Sequence, residues 1–130
     1  MDLLDYAPKT DDVVITLEVG GTILKNADDS PMTITFYSPY SAEAKDIKHS
    51  MVDERIAQAE KDSITTMNSK QVEELNIRGL AKNVKSWNIT IDKKQPKLSE
   101  KSAIDVFNKV FWIKGLYDEA VEKSLGFMKG

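Results

Sequence analysis

The chain has no cysteine. Disulfides, thiol nucleophiles and thiolate metal sites are therefore excluded, and the composition suits a reducing compartment. There is one histidine, His49, so a zinc site would have to complete itself with carboxylates such as Asp46, Asp53 or Glu54, against zinc's preference for several His or Cys ligands. No apolar run approaches the ~20 residues that span a bilayer. The opening Met1-Asp-Leu-Leu-Asp-Tyr6 is acidic and lacks the basic-then-apolar order of a secretory signal, so the sequon Asn88-Ile-Thr90 reads as coincidence. No glycine-rich loop carries the Lys and Ser/Thr of a nucleotide P-loop, no serine sits in a nucleophile elbow, and acids at calcium-loop spacing are missing. A net excess of basic charge is also missing. The net charge is −3, and residues 1–31 hold seven acids against Lys9 and Lys25. Nucleic-acid binders neutralise phosphates with a clearly basic face. The one short cluster, Lys93, Lys94 and Lys97, reads as a solvated turn, so neither a nucleic acid nor a membrane is an expected partner.

What remains is an ordinary globular composition. Of 130 residues, 41% are hydrophobic and 30% charged. That length makes one domain with enough core to fold without staples. The expected organisation is an arm over 1–11, a single α+β domain over 12–127 and a tail over 128–130.

The N-terminal third reads as strands. Asp12–Val19 is β-branched and roughly alternating. Gly20-Gly21 supplies the positive φ of a tight hairpin turn, and Thr22–Lys25 returns as a second strand. Met32–Tyr37 alternates, with Met32, Ile34 and Phe36 on one face, giving a three-stranded antiparallel sheet with one face to cover. The Glu18-Val-Gly-Gly-Thr22 stretch resembles the phosphate-binding opening of some sugar kinases. Those enzymes need a far longer, two-lobed chain, so the hairpin is the better reading.

Helices follow. Ser38-Pro39 predicts a helix start, with Ser as cap and Pro at the first helical position. The stripe Ala44, Ile47, Met51, Ile56 and Ala59 carries that helix to about Lys61. Asp62–Ser69 is a break. A second helix is predicted over Lys70–Trp87 from Ile77, Leu80, Val84 and Trp87, with Gly79 placed to admit another backbone. Asn88–Leu98 reads as an extended turn with Ile89 and Ile91 inward. Ser99 caps a third helix with Phe107, Val110 and Phe111 inward, Gly115 marks a kink or break, and Leu116–Leu125 ends at a Gly126 cap. Strands first and helices after suggest an α+β fold of about three strands covered by three to four helices.

No reactive centre emerges from this layout. His49 lies in the polar stretch Lys48-His-Ser50. The acid pairs Asp53-Glu54, Glu73-Glu74 and Asp118-Glu119 are sequence neighbours, which point about 100° apart on a helix and do not converge on a substrate. An enzyme is therefore not expected, and no cofactor or metal is called for. The unusual concentration is aromatic: Phe107, Phe111, Trp112, Tyr117 and Phe127. Trp and Tyr suit interfaces because they join large apolar area to a polar handle. Trp112 sits about 100° from Phe111, off the main stripe, where it either covers the edge of the core or anchors a partner. The expected partner-binding residues are Trp112, Leu116 and Tyr117, with Leu3, Leu4 and Tyr6 of the arm as a second set.

The order of these segments resembles the tail assembly chaperones of long-tailed bacteriophages. The resemblance runs from Pro31 to Phe127. It rests on Pro31-Met-Thr-Ile-Thr-Phe-Tyr37 leading into Ser38-Pro39, on Trp87-Asn88-Ile89 at the end of a helical stripe, on the charged turn before Ser99 and its Phe stripe, and on a short last helix closing near Phe127. It implies a non-enzymatic protein of the host cytoplasm. Such a protein binds the long tape measure protein, keeps it soluble during tube assembly, self-associates, and is absent from the virion. In many such phages a longer frameshifted form recruits the tail tube protein. The alternative is a structural tail completion or connector subunit that stays in the particle.

Overall fold

A computed structural model of the chain describes residues 2–7, 10–62 and 66–124. Residues Val13–Thr16 form β1, Glu18–Val19 β2, Thr22–Ile23 β3, Thr33–Phe36 β4, Ala42–Asp62 α1, Ser69–Lys82 α2, Val84–Asn88 β5, Glu100–Lys109 α3 and Ile113–Ser124 α4. The class is α+β, as the sequence suggests. The membership of the sheet differs. Its order is β1-β4-β5, all antiparallel, while β2 and β3 form a separate two-stranded ribbon. Gly20 (φ 58°) and Gly21 (φ 83°) turn that ribbon, in the primed-turn geometry that two consecutive glycines allow.

Alternation dictates the sheet. Val13 and Ile15 point inward opposite Phe36 and Ile34, and the last two are fully buried. Thr16, Thr33 and Thr35 take the other face, where Thr16 is exposed and Thr33 and Thr35 are half-buried. The inner face packs on Leu80 and Ala81 of α2, on Ala103, Val106 and Phe107 of α3, and on Ile113 of α4. Phe36 is the hub: its ring lies 6.3 Å from Phe107 and 4.6 Å from Tyr117.

The second helix stops five residues short of Trp87. Asn83 ends it by folding its side-chain Nδ2 onto the Gly79 carbonyl at 2.7 Å, and its own carbonyl accepts the Tyr37 amide at 2.9 Å. The chain then pairs with β4. A bulge at Lys85 makes Phe36 face Val84 while Ile34 faces Trp87. Residues three apart in a regular strand point to opposite faces; the extra residue brings both Val84 and Trp87 inward. Trp87 is fixed there by an indole N–H donated to the Pro96 carbonyl at 2.9 Å.

Beyond β5, Ile89 is buried as expected, but Ile91 is 39% exposed. Asp92 and Lys93 both take positive φ (50° and 65°) and turn the chain so that Ile91 and Lys94 bridge. This hairpin-like turn rotates Ile91 out of the core. Underneath, buried Asn26 ties the Asn26–Ser30 loop to the end of the sheet. Its Nδ2 donates to the Ser30 and Asn88 carbonyls, each at 3.3 Å, and its Oδ1 accepts the Thr90 hydroxyl.

The first helix starts three residues later than Ser38-Pro39 predicts. Ser38 heads a turn, and Ser41 is the cap, its Oγ accepting the Ala44 amide at 3.2 Å. Ser99 caps α3 as predicted, with Ser102 completing a reciprocal pair. At the far end, α3 closes at Lys109 and α4 opens at Ile113, so the break falls at Val110–Trp112 and Gly115 lies inside α4. The expected cap at Gly126 and the tail lie outside the described residues.

Candidate functional site

The helix α1 is 21 residues long, about 31 Å at 1.5 Å per residue. Among the helices and strands its main packing partner is α2. Of its described side chains, Ala44 alone is buried. Ile56 of its stripe is about half exposed, as is Val52 beside the stripe. A long helix with so little burial relies on ion pairs and on the helix it packs along.

That neighbour is α2, which starts from a capping box: Asn68 accepts the Gln71 amide at 2.9 Å and Gln71 Oε1 accepts the Asn68 amide at 3.0 Å. The two helices meet where Met51 lies over Gly79. Beside it Arg78 Nη2 donates to both carboxylate oxygens of Glu54, at 2.9 and 3.0 Å, and Arg78 Nε lies 3.7 Å from Glu100 of α3; Lys82 joins Glu100 at 3.4 Å. The Glu54 hydrogen bond holds the guanidinium above its ordinary pKa, so the charge is permanent. This network pins α1 to α2 and α3 at one point along its length.

Between that point and the α1–α2 connection the helices leave a groove of about 370 Å³. Met51, Met67, Ala59 and Leu75 supply its apolar floor, and Glu54, Arg55, Glu74 and Arg78 its rims. Methionine is flexible and polarisable, and fits irregular apolar partners. The alternation of charges along the rims matches the polar flanks of an amphipathic helix.

A second groove, about 250 Å³, runs on the other side of α2 against α3 and α4. Leu80 and Phe107 floor it, Val72 and Ile77 line the α2 wall, and Phe111 stands on the opposite wall. Phe111 is 78% exposed, the one aromatic among the exposed large apolar side chains of the described residues.

The expected contact residues fall differently from the sequence reading. Leu3 and Leu4 sit on a 3-10 turn, Leu3–Tyr6, and are exposed, at 84% and 76%. Tyr6 closes that turn; its side chain lies outside the described residues. Trp112, Leu116 and Tyr117 are half-buried and packed on the core rather than presented to solvent. The cause is the break at Val110–Trp112, which resets the helical phase. Ile113, Leu116, Tyr117, Ala120 and Val121 form one i, i+3, i+4, i+7, i+8 stripe against the sheet. Phe111, expected inward, is rotated out. Burial raises the Tyr117 hydroxyl above its ordinary pKa near 10, with the Asp118 charge adding to the effect. That five-member stripe from Ile113, at spacings of three and four, is the sequence signal for the inward set, and Phe111 falls outside it. The residues that sequence reasoning missed are Phe111, Val72, Met67 and Leu75.

The remaining polar groups stay apart. His49 is exposed on α1, and among the described residues no three His, Asp or Glu side chains come together to hold a metal. Glu119 pairs with Lys123 at 3.2 Å along α4, as their spacing predicts. Among the described residues no helix is long and apolar enough to cross a membrane. No protein family, no curated protein and no solved structure matches this chain.

Proposed function

We propose that this protein is a non-enzymatic tail assembly chaperone, acting in the host cytoplasm by shielding apolar helical stripes of a tape measure protein through the groove between α1 and α2. The observation that carries the reading is α1 itself. A 21-residue helix with a single buried described side chain is a large surface with little role in the chain's own core. The groove beneath it joins two methionines to alternating charges, which suits a succession of similar helical stripes rather than one rigid ligand. The resemblance of Pro31–Tyr37, Ser38-Pro39 and the Ser99-capped helix to tail assembly chaperones supports a tape measure protein as the client; Trp87 departs from that resemblance, because it lies on β5 and not at the end of a helix.

The mechanism needs no bond chemistry. Each groove contributes a weak, reversible contact, and several copies on one long client add by avidity. Self-association of the chaperone would raise that avidity further, and a longer frameshifted form would bring in the tail tube protein. Release follows when tube subunits compete for the same stripes.

The test is co-expression with the tape measure protein of the same phage, followed by fractionation and by mass spectrometry of purified particles. The reading expects the client to move into the soluble fraction bound to this chain, and the chain to be missing from particles. An insoluble client, or the chain at stoichiometric amounts in particles as a completion or connector subunit would be, contradicts it.

A further inference from the structure

We propose that the turn Ile91–Lys94, together with Lys97, is a docking surface for an acidic segment of a partner protein. It shares no residue with the groove between α1 and α2, so it stands or falls apart from the client reading. Ile91 and Lys94 exchange both backbone hydrogen bonds, at 2.8 and 3.0 Å. Residues paired in that way lie directly opposite each other and carry their side chains on one face, with β-carbons about 5 Å apart. Ile91 is 39% exposed, and Lys93, Lys94 and Lys97 are all exposed. Among the described residues none of these three lysines has an ion-pair partner. The acids around them are few or engaged. Asp92 is the one acid between positions 85 and 99. The Asn26–Ser30 loop, tied to Asn88 and Thr90, brings Asp28 and Asp29, but Asp28 accepts the Ser30 amide at 3.0 Å and Asp29 pairs with Lys25 at 3.5 Å. Glu100 is held by Arg78 and Lys82.

The turn is braced on both sides. Gln95 Nε2 donates to Asn88 Oδ1 at 3.2 Å, the Pro96 carbonyl accepts the Trp87 indole N–H at 2.9 Å, and the Lys97 carbonyl accepts the Ser102 hydroxyl at 2.8 Å. A surface held in this way loses little backbone freedom on binding. Its tip is also sterically unfavourable. Asp92 and Lys93 have φ of 50° and 65°. Two-residue turns of this kind ordinarily carry Asn or Asp followed by Gly, because a β-carbon in the left-handed region meets its own backbone. Lys93 fills the glycine position, and what it adds there is a charge at the tip. Carboxylates answer the three lysines, and an aliphatic side chain answers Ile91. A nucleic acid is the poorer fit: the turn has no arginine to fork onto a phosphate, and Trp87 is packed on the core, where it does not offer its face to a base. Three exposed charges around one apolar side chain make a weak contact that salt screens.

Fluorescence anisotropy of a labelled peptide, Glu-Asp-Glu-Leu-Glu-Asp-Glu, titrated with the full chain, tests this. Saturable binding is expected at about 50 mM salt, weakening several-fold by about 200 mM. Lys94→Glu should raise the dissociation constant about fivefold or more. Lys48→Glu makes the same change of net charge on an exposed, distant position of α1 and should leave binding as it is. Ile91→Thr, and a peptide with Ser in place of Leu, should each weaken the contact with the melting temperature of the protein nearly unchanged. Lys93→Gly separates binding from folding: it relieves the left-handed strain, so it should raise the melting temperature by a few degrees while lowering affinity. No saturable binding at low salt overturns the proposal. So does a Lys48→Glu loss as large as that of Lys94→Glu, a Lys93→Gly variant that binds like the wild type, or binding indifferent to both Ile91 and the peptide leucine. An oligonucleotide of matched charge that binds more tightly than the peptide overturns the assignment to an acidic protein segment.

Discussion

Met51 of α1 lies against Gly79 of α2: a β-carbon built on Gly79 would lie 3.4 Å from the Met51 sulfur. The sequence reading has this glycine admitting a backbone, yet its near neighbour is the end of a flexible thioether. Ordinary van der Waals distance leaves room for a methyl group. Gly79→Ala is therefore expected to stabilise the fold by about 0.5–1 kcal/mol through helix propensity. Urea denaturation measures it. A loss of stability would show that the helices are packed more tightly than this contact indicates.

Adjacent aromatic residues at the α3–α4 corner should behave oppositely. Phe111 is exposed and Trp112 is packed on the core. Phe111→Ser is expected to change stability by no more than about 0.5 kcal/mol, as for an ordinary surface site. Trp112→Ala should cost about 2–4 kcal/mol, somewhat less than a fully buried Trp because part of the ring is wet. Thermal melts of the two variants decide it, and similar midpoints would contradict the placement of the break at Val110–Trp112.

Asn26 links a loop to strand and turn residues more than sixty positions away, through Asn88 and Thr90. Asn26→Ala leaves the Thr90 hydroxyl and the Asn88 carbonyl without this partner in a largely buried place. A cost of about 2–3 kcal/mol is expected. Hydrogen exchange should show the amides of β5 and of the Asn26–Ser30 loop losing protection together. Unchanged protection in β5 would mean that the loop is held independently.

Tyr117 gives the fold an alkaline limit. Burial raises its pKa in the folded state above the value near 10 of an exposed tyrosine. The unfolded chain therefore loses its proton first as pH rises. The neutral hydroxyl's contribution is fully present below about pH 10 and is lost as pH climbs through the folded value. Tyr117→Phe should flatten the fall in stability above pH 10, and denaturation curves between pH 8 and 11.5 measure that slope. An unchanged slope would place the ionising hydroxyl in water.

Those alkaline and core effects concern residues whose role was only partly legible in the sequence. Alternation announced Val13, Ile15, Ile34 and Phe36, since an antiparallel sheet with one covered face imposes period two on its residues. Ser99 announced α3 for an equally local reason. The strand β5 was hidden because its bulge gives Val84 and Trp87 a three-residue spacing that continues the helical stripe Ile77–Leu80. Pairing with β4, a long-range contact, overrides that local pattern. Phe111 was hidden by the opposite effect. Its i+4 relation to Phe107 reads as one helix face, whereas the chain leaves the helix at Val110. The grooves could not be read at all, because they depend on the angle at which α1, α2 and α4 meet.

The central claim is that the groove between α1 and α2 shields a helical client. Leu75 lines that groove and is only half-buried, so Leu75→Glu places a charge on the binding surface without emptying the core. The decisive measurement is the soluble fraction of the tape measure protein when it is co-expressed with the wild type or with Leu75→Glu, the variant's own melting temperature serving as control. The account predicts a soluble client with the wild type and a precipitated one with a folded variant. Equal solubility with both, or none with either, would contradict it.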